Sequence, residues 1–245
     1  MAVELRTPED SDPSLGDSKL LDAVRKSVGF AQEHGGIGLT KGKAFNRKFT
    51  KWAAENFNWP EYSADELLRF QRVLNEEDVK PVFVLHKLMI SMKLGRHVKD
   101  KWRFNNKAVA FVRTPGALQV ALTKGFLFEF DHSRLQRFPF IAAGNWDIWL
   151  NVINVDAQSG VSEAALLKTF YGVECVGAGD REFWHHASFL MWYVLNPLCW
   201  LGYLVKTELD GRHSASDRTI YVKTPLWKKT FKLDTDNELC PHLVH

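Results

Sequence analysis

Cysteine is scarce in this sequence, and the three present, Cys175, Cys199 and Cys240, are widely spaced. Thiols so few and scattered exclude a disulfide scaffold and favour a reducing compartment, so we expect a cytoplasmic protein. A glycine-rich phosphate loop is also missing, as are the common zinc-protease and nucleophile motifs. Residues 240–245 hold one cysteine and two histidines, whereas structural zinc needs four ligands at set spacings. We therefore expect a frayed terminus there, no metal, no cofactor and no catalytic residue.

Long hydrophobic runs are missing except for one, residues 185–205, which contain no Asp, Glu, Lys or Arg. This length would just cross a bilayer. Pro197 interrupts the run, and Gly202 lies near its end. These features favour a buried helix and strand, with a kink or early helix end at Pro197, over a membrane-associated helix. We expect no membrane partner, and a core that contains Phe189, Leu190, Trp192, Tyr193, Leu195 and Leu198.

Neither sign of charge dominates the whole chain, whose formal net charge is +3. The charge is unevenly distributed: residues 1–36 carry −3, residues 37–124 carry +9 and residues 125–245 carry −3. A middle third this basic favours a polyanionic binding partner, and nucleic acid is the first candidate. A solvated lysine-rich face would give the same count, and this alternative stays open.

The patterning predicts an α+β fold that is mainly helical with small β-hairpins. Residues 1–17 contain five acidic side chains and no apolar run, which is typical of a flexible acidic tail and not of a signal peptide. Amphipathic helices, with a capping box from Ser63 to Glu66, then outline two modules, residues 18–124 and 144–233. Residues 125–143 are expected to link them, and residues 234–245 to form a C-terminal tail.

A repeated signature indicates that the two modules are copies of one unit. Leu94-Gly95 ends a predicted helix in the first module, as Leu201-Gly202 does in the second. A hairpin should follow each, with the first turn at Asn105-Asn106. The first return strand is expected at Ala108–Val112, and the return strands should read Phe-Val-Arg-Thr-Pro at residues 111–115 and Tyr-Val-Lys-Thr-Pro at residues 221–225. In both copies the Thr-Pro pair should open another helix, because proline suits the first helical position.

Helices followed by a two-stranded hairpin resemble the winged-helix form of the helix-turn-helix superfamily, here in two tandem winged-helix-like modules. The ending, with Leu-Gly, a hairpin and Thr-Pro, is also similar to domains of uncharacterised bacterial proteins. The superfamily resemblance implies a third helix in the DNA major groove and a hairpin, the wing, against the neighbouring backbone. Winged helices also serve as protein-docking modules, so the fold alone does not decide the function.

The first module carries the cations that this DNA-binding pattern requires, with His86 expected beside them on the recognition helix. Trp102 lies among the wing cations, where it either stacks on a sugar or base or packs the wing onto the helices. The predicted DNA-binding residues are Arg47, Lys48, Lys51, Lys80, Lys87, Lys93, Arg96, Lys99, Lys101, Trp102, Arg103 and Lys107.

The second module departs from this pattern, because its third helix is apolar nearly all round and its wing mixes both charges. We expect that copy to form core or an interface with a protein partner or a second copy of the chain. The favoured function is a non-enzymatic DNA-binding protein that acts as a bacterial transcription regulator. The alternatives are a tandem winged-helix module for protein–protein interaction and an enzyme whose site is spread too widely in sequence to recognise.

Overall fold

A computed structural model describes residues 3–132, 144–177, 179–208 and 219–237. The fold is α+β, with small antiparallel sheets beside the helices. The chain divides into two compact units: the first is Ser18–Phe130, and the second combines Met1–Asp17 with Asp131–His245. Residues 125–130, expected in a linker, belong to the first unit because Phe126 and Leu127 are buried there. The rest of the expected linker, residues 133–143, lies outside the described residues.

The helices and strands are numbered along the chain. The strands are β1 (Glu4–Leu5), β2 (Ile37–Gly38), β3 (Gly95–Val98), β4 (Lys101–Phe104), β5 (Val161–Ser162), β6 (Leu204–Glu208), β7 (Thr219–Lys223) and β8 (Phe231–Lys232). The α-helices of the first unit are α1 (Lys19–His34), α2 (Arg47–Asn56), α3 (Ala64–Leu68), α4 (Lys80–Ser91), α5 (Asn106–Phe111) and α6 (Pro115–Thr123). Those of the second are α7 (Trp146–Asp156), α8 (Glu163–Tyr171), α9 (Arg181–Leu190), α10 (Asn196–Trp200) and α11 (Pro225–Thr230).

Side-chain caps begin several of these helices. The Ser18 hydroxyl accepts a hydrogen bond from the Leu21 amide at the start of α1, and Gly35 ends that helix in the left-handed region at φ 65°. The predicted capping box is confirmed at α3, where the Ser63 hydroxyl and the Glu66 carboxylate each accept from the other residue's amide. These caps satisfy amides and carbonyls that lack partners within the helix.

Both units contain the same order of elements and the same sheet order. In each, a first helix leads to a short strand, further helices and then a hairpin. The short strand pairs with the return strand of the hairpin, which gives sheets ordered β2-β4-β3 and β5-β7-β6, all antiparallel. The hairpin therefore lies against the strand that follows the first helix in both units.

The first hairpin differs from its prediction, which placed a turn at Asn105-Asn106. The turn is at Lys99-Asp100, with Lys99 at φ 56°. Asn105 instead caps α5 by accepting from the Ala108 amide at 2.9 Å, and Phe111 is the last residue of that helix. The five-residue motif from which the repeat was predicted is therefore helical at residue 111 and part of a strand at residue 221. It does not mark equivalent strands in the two units. The predicted Thr-Pro helix starts are confirmed at α6 and α11.

The acidic segment expected to be a flexible tail is ordered within the second unit. β1 pairs with β8, and the Arg6 amide donates to the Thr230 carbonyl at 2.7 Å. The Lys229 ammonium lies 2.5 Å from the Asp12 carboxylate, and its hydrogen bond, together with those that the Ser14 amide and hydroxyl donate, lowers the pKa of Asp12 to about 2. Two acidic residues of the segment, Asp12 and Glu4, thus pair with Lys229 and Lys232 of the second unit, which composition alone does not reveal.

The apolar run is helical from α9 through a π-helical turn, Met191–Leu195, into α10. The Asn196 amide donates five residues back, to the Met191 carbonyl, just before Pro197. Proline lacks an amide hydrogen and clashes with the carbonyl four residues earlier, so the wider turn lets the helix continue where a kink or end was expected. Of the six side chains expected in the core, five are buried and Trp192 is half-buried. No helix within the described ranges is both long and apolar enough to cross a membrane.

A hydrogen-bond network around Asn154 joins α7 to the end of the described chain. The Asn154 side chain, 1% exposed, accepts from the Trp227 indole at 3.0 Å and donates to Asp236 at 2.9 Å. The Lys223 ammonium also donates to the Asn154 carbonyl. Residues 234–237, expected in a tail, therefore belong to the second unit, whereas residues 238–245 with their Cys/His cluster lie outside the described residues.

Candidate nucleic-acid interface

The outward side of α4 carries two lysines around one aromatic ring. Lys80, Phe83 and Lys87 are spaced by three and four residues, which places them on one side of a helix. Each ammonium lies 5.2 Å from the centroid of the Phe83 ring. The opposite side of α4 is core, where Leu85, Leu88 and Met89 are fully buried. The helix is thus fixed by its apolar side and presents cations on the other.

Two neighbouring segments add cations beside α4. Arg47 and Lys48 are exposed in the first turn of α2, and the Arg47 guanidinium donates to the Asn75 side chain at 3.0 Å, just before α4. Lys43 donates to the Lys99 carbonyl at the hairpin turn, over 3.0 Å. A helix N-terminus carries partial positive charge, so cations in its first turn are unfavourable for the helix itself. Their position suits an external anion better than it suits the fold.

We call this surface the α4 face, and none of its members forms an ion pair with a carboxylate among the described residues. Every member is exposed except Lys80, which is half-buried. An open cavity of about 600 Å³ next to it mixes Arg47 and Lys48 with Glu77. The α4 face consists of Lys43, Arg47, Lys48, Lys80, Lys87 and Lys99.

The first hairpin, formed by β3 and β4, carries its predicted cations on different sides. Alternate residues of a strand point to opposite faces, and His97 and Trp102, which are directly paired, contact His86 of α4. The other face therefore carries Arg96 directly opposite Arg103, together with Lys101. Lys101 donates to the His34 carbonyl at the end of α1, at 2.8 Å. The structure does not bring these three cations together with Lys87.

Two predicted contact residues are internal. Trp102 is 1% exposed, and its ring lies 5.4 Å from the His97 ring and 5.6 Å from the His86 ring. Its packing role, one of the two alternatives, is the correct one, because a ring enclosed in this way cannot stack on a base. His86, expected on the recognition surface, is 2% exposed and points inward. Neither side chain can touch nucleic acid directly.

Three further predicted residues have other surroundings and are not counted in the α4 face. Lys51 pairs with Glu55 along α2 at 3.7 Å, and Lys107 lies 5.4 Å from the Phe111 ring centroid on α5. Lys93 is exposed just after α4, at φ 53°. Conversely, the sequence-based set omitted Lys43, although it lies in the same basic run as Arg47 and Lys48. Counting that run as one surface would have included it.

The lysines of the second unit are used differently. Lys168 lies 2.5 Å from Glu174, and Lys232 lies 2.6 Å from Glu4. Burial and the neighbouring Lys228 lower the pKa of Lys223, which donates into the Asn154 network. Of the cations expected in the second wing, Arg212 and Arg218 lie outside the described residues. Acidic or buried partners thus occupy lysines that would otherwise be available to an anion.

Comparison with known proteins gives a consistent division of the chain. The family model described as the Y4jL N-terminal domain matches residues 16–117, and the model of the y4jL C-terminal domain matches residues 136–225. An uncharacterised protein, y4jL of Sinorhizobium fredii, is 33% identical over 178 residues, which are 71% of this chain and 79% of the relative. The chain therefore belongs to the y4jL family. Neither model is a winged-helix family, and no solved structure matches the chain.

Proposed function

We propose that this protein binds duplex DNA through the α4 face and acts as a non-enzymatic bacterial transcription regulator. The observation that carries the proposal is a set of six cations on three neighbouring segments of the first unit, none of them paired with a carboxylate of the described residues. Unpaired cations on one surface raise the local potential and attract a polyanion. The relative in Sinorhizobium fredii is consistent with a bacterial setting.

The arrangement of elements supports a winged-helix mode of binding. Helices followed by a two-stranded hairpin, the feature on which the resemblance to winged helices rests, are present in the first unit as α2 to α4 and then β3 and β4. In that mode α4 would enter the major groove, and the turn at Lys99 would contact the neighbouring backbone. Phe83 holds Lys80 and Lys87 along the groove-facing side of α4. Lysine contacts to phosphate supply affinity more than sequence specificity.

A salt titration with a random-sequence duplex tests this function. Each phosphate neutralised by a lysine or arginine releases counterions, so log affinity should fall against log salt by about 0.9 per contact, or about 5 for six contacts. Full-length protein and a labelled duplex suffice for the measurement. Binding that is absent at low salt would contradict DNA binding.

A protein partner is the second candidate function, and a different observation favours it. Phe70 is 89% exposed, and Leu68 and Val73 nearby are 41% and 44% exposed. Apolar side chains of this kind gain from burial in a protein interface and gain little from a phosphate backbone. In this alternative the basic first unit would bind an acidic protein, and random DNA would not compete with that partner.

A further inference from the structure

A buried carboxylate and two histidines form a chain of hydrogen bonds that ends at the α4 face. Glu76 is 4% exposed, and its carboxylate accepts hydrogen bonds from the Phe45 amide and from His86 Nδ1, the latter at 2.8 Å. The other ring nitrogen of His86 lies 3.3 Å from Nε2 of His97. His97 is exposed on β3. The chain therefore runs from the core to the surface through two imidazole rings.

When both imidazole rings are neutral, the hydrogen bonds assign the protons along this chain. The Glu76 carboxylate accepts from His86, so the His86 proton is on Nδ1 and its Nε2 is an acceptor. His97 Nε2 then donates to it, which leaves His97 Nδ1 unprotonated. No other hydrogen bond of His97 is found in the described part of the chain, and Nδ1 is available to a ligand from outside. Uptake of one solvent proton at Nδ1 would make His97 a cationic donor.

The charges around His97 oppose this protonation while the surface is empty. The charged groups that face His97 are Lys87 of α4, Glu76 before α4 and Lys43 after β2, and His86 joins them only when it is protonated. Partial burial of the ring lowers the pKa of His97 from its ordinary value, a protonated His86, Lys43 and Lys87 lower it further, and Glu76 acts in the opposite sense. An anion near Lys43 and Lys87 would cancel their repulsion and favour the proton.

We propose that His97 is a phosphate-binding residue of the α4 face and takes up one solvent proton as the phosphate binds. Glu76 and His86 are positioning residues: they orient the ring, and Glu76 supplies the negative charge that balances the new cation. Phosphate oxygen accepts from His97 Nδ1, and no covalent bond is formed or broken. The inference rests on the proposed DNA binding. It adds one phosphate contact that depends on pH to the lysine contacts, which do not depend on pH in this range.

The test measures affinity for a random-sequence duplex at constant ionic strength across about pH 5.5 to 8, the range in which histidines titrate. Wild-type affinity should rise as the pH falls, by up to about tenfold per pH unit, since one proton is taken up per complex. His97→Gln should still bind at pH 8 and should lose this dependence. His34→Gln, which changes another exposed histidine of the first unit, should behave as the wild type. Glu76→Gln should flatten the dependence, because the balancing charge is gone.

A second measurement uses only wild-type protein, so it does not depend on whether the variants fold. Imidazole NMR signals of wild-type protein, titrated with and without duplex, should show the pKa of His97 raised in the complex. If wild-type protein binds DNA and His97→Gln keeps the full pH dependence, or if the His97 titration does not move, the role of His97 is wrong and DNA binding stands. If wild-type protein does not bind DNA at low salt, both proposals are wrong.

Discussion

At the scale of single residues, Trp102 tests whether an aromatic ring among the wing cations packs in the core or contacts DNA. Its ring is enclosed by His86, His97 and Phe104, so Trp102→Ala should lower the free energy of unfolding by about 3–5 kcal/mol, the usual range for a large aromatic in a core. Urea denaturation measures this loss. Trp184→Ala is the matched control, because Trp184 is 42% exposed and should cost much less. A folded Trp102→Phe variant that loses DNA binding would show that the ring does contact the ligand.

Asn154 gives a second prediction for a single residue, in the second unit. Asn154→Ala leaves the Trp227 indole without its acceptor in a position that is 1% exposed. An unsatisfied buried donor costs about 1–3 kcal/mol, and the unfolding free energy should fall by that amount. Gln158, which is exposed and also accepts from Lys223, supplies the control: Gln158→Ala should change stability by less than about 0.5 kcal/mol. Equal losses from both variants would show that the network contributes nothing specific.

At the scale of elements, β1 holds the N-terminal segment on the second unit through main-chain hydrogen bonds. Arg6→Pro removes the amide that donates to the Thr230 carbonyl at 2.7 Å. Hydrogen exchange at β8 and proteolysis within residues 3–12 should both become faster, because proline cannot donate. Thr7→Pro is the control, since no hydrogen bond of the Thr7 amide occurs among the described residues. Unchanged exchange in Arg6→Pro would mean that β1 is not held by this pairing.

Elements whose signals are local were predictable from the sequence. The Ser63 capping box and the helices opened by Pro115 and Pro225 depend on residues within one turn, and they are found as expected. Elements that depend on tertiary contacts were not. Asn105 suits both a hairpin turn and a helix cap, and only the pairing of β4 with β2 decides between them. The π-helical turn before Pro197 likewise belongs to a packed helix that local propensity would break.

The candidate site was predictable in composition and less so in arrangement. Counting charges located the basic first unit, and the predicted recognition helix contained Lys80 and Lys87, but it also presented His86, which is buried. Strand alternation separates Arg96, Lys101 and Arg103 from α4, and this separation became visible only with the true register of the hairpin. The histidine chain was missed because its members, Glu76, His86 and His97, are brought together by folding and form no motif in sequence.

At the scale of the whole molecule, the two units differ in how their cations are paired. Within the described part of the chain, the cations of the α4 face have no carboxylate partner, whereas Lys168, Lys229 and Lys232 of the second unit pair with carboxylates. A chain with a net charge of only +3 would then bind a polyanion through one unit and keep the other for stability or for a protein partner. The account therefore predicts that DNA affinity depends on which lysines are removed and not on the overall charge.

The most direct test compares three variants of equal charge loss in the same salt titration. Replacing Lys48, Lys80 and Lys87 by Ala should weaken binding to every sequence and flatten the salt dependence by about 2–3, since each lost phosphate contact removes about 0.9. Replacing Arg96, Lys101 and Arg103 should have a smaller effect, because they lie on the other side of the wing. Replacing Lys168, Lys206 and Lys228 of the second unit should leave the slope near that of the wild type. Equal losses from all three variants would contradict a DNA interface at the α4 face.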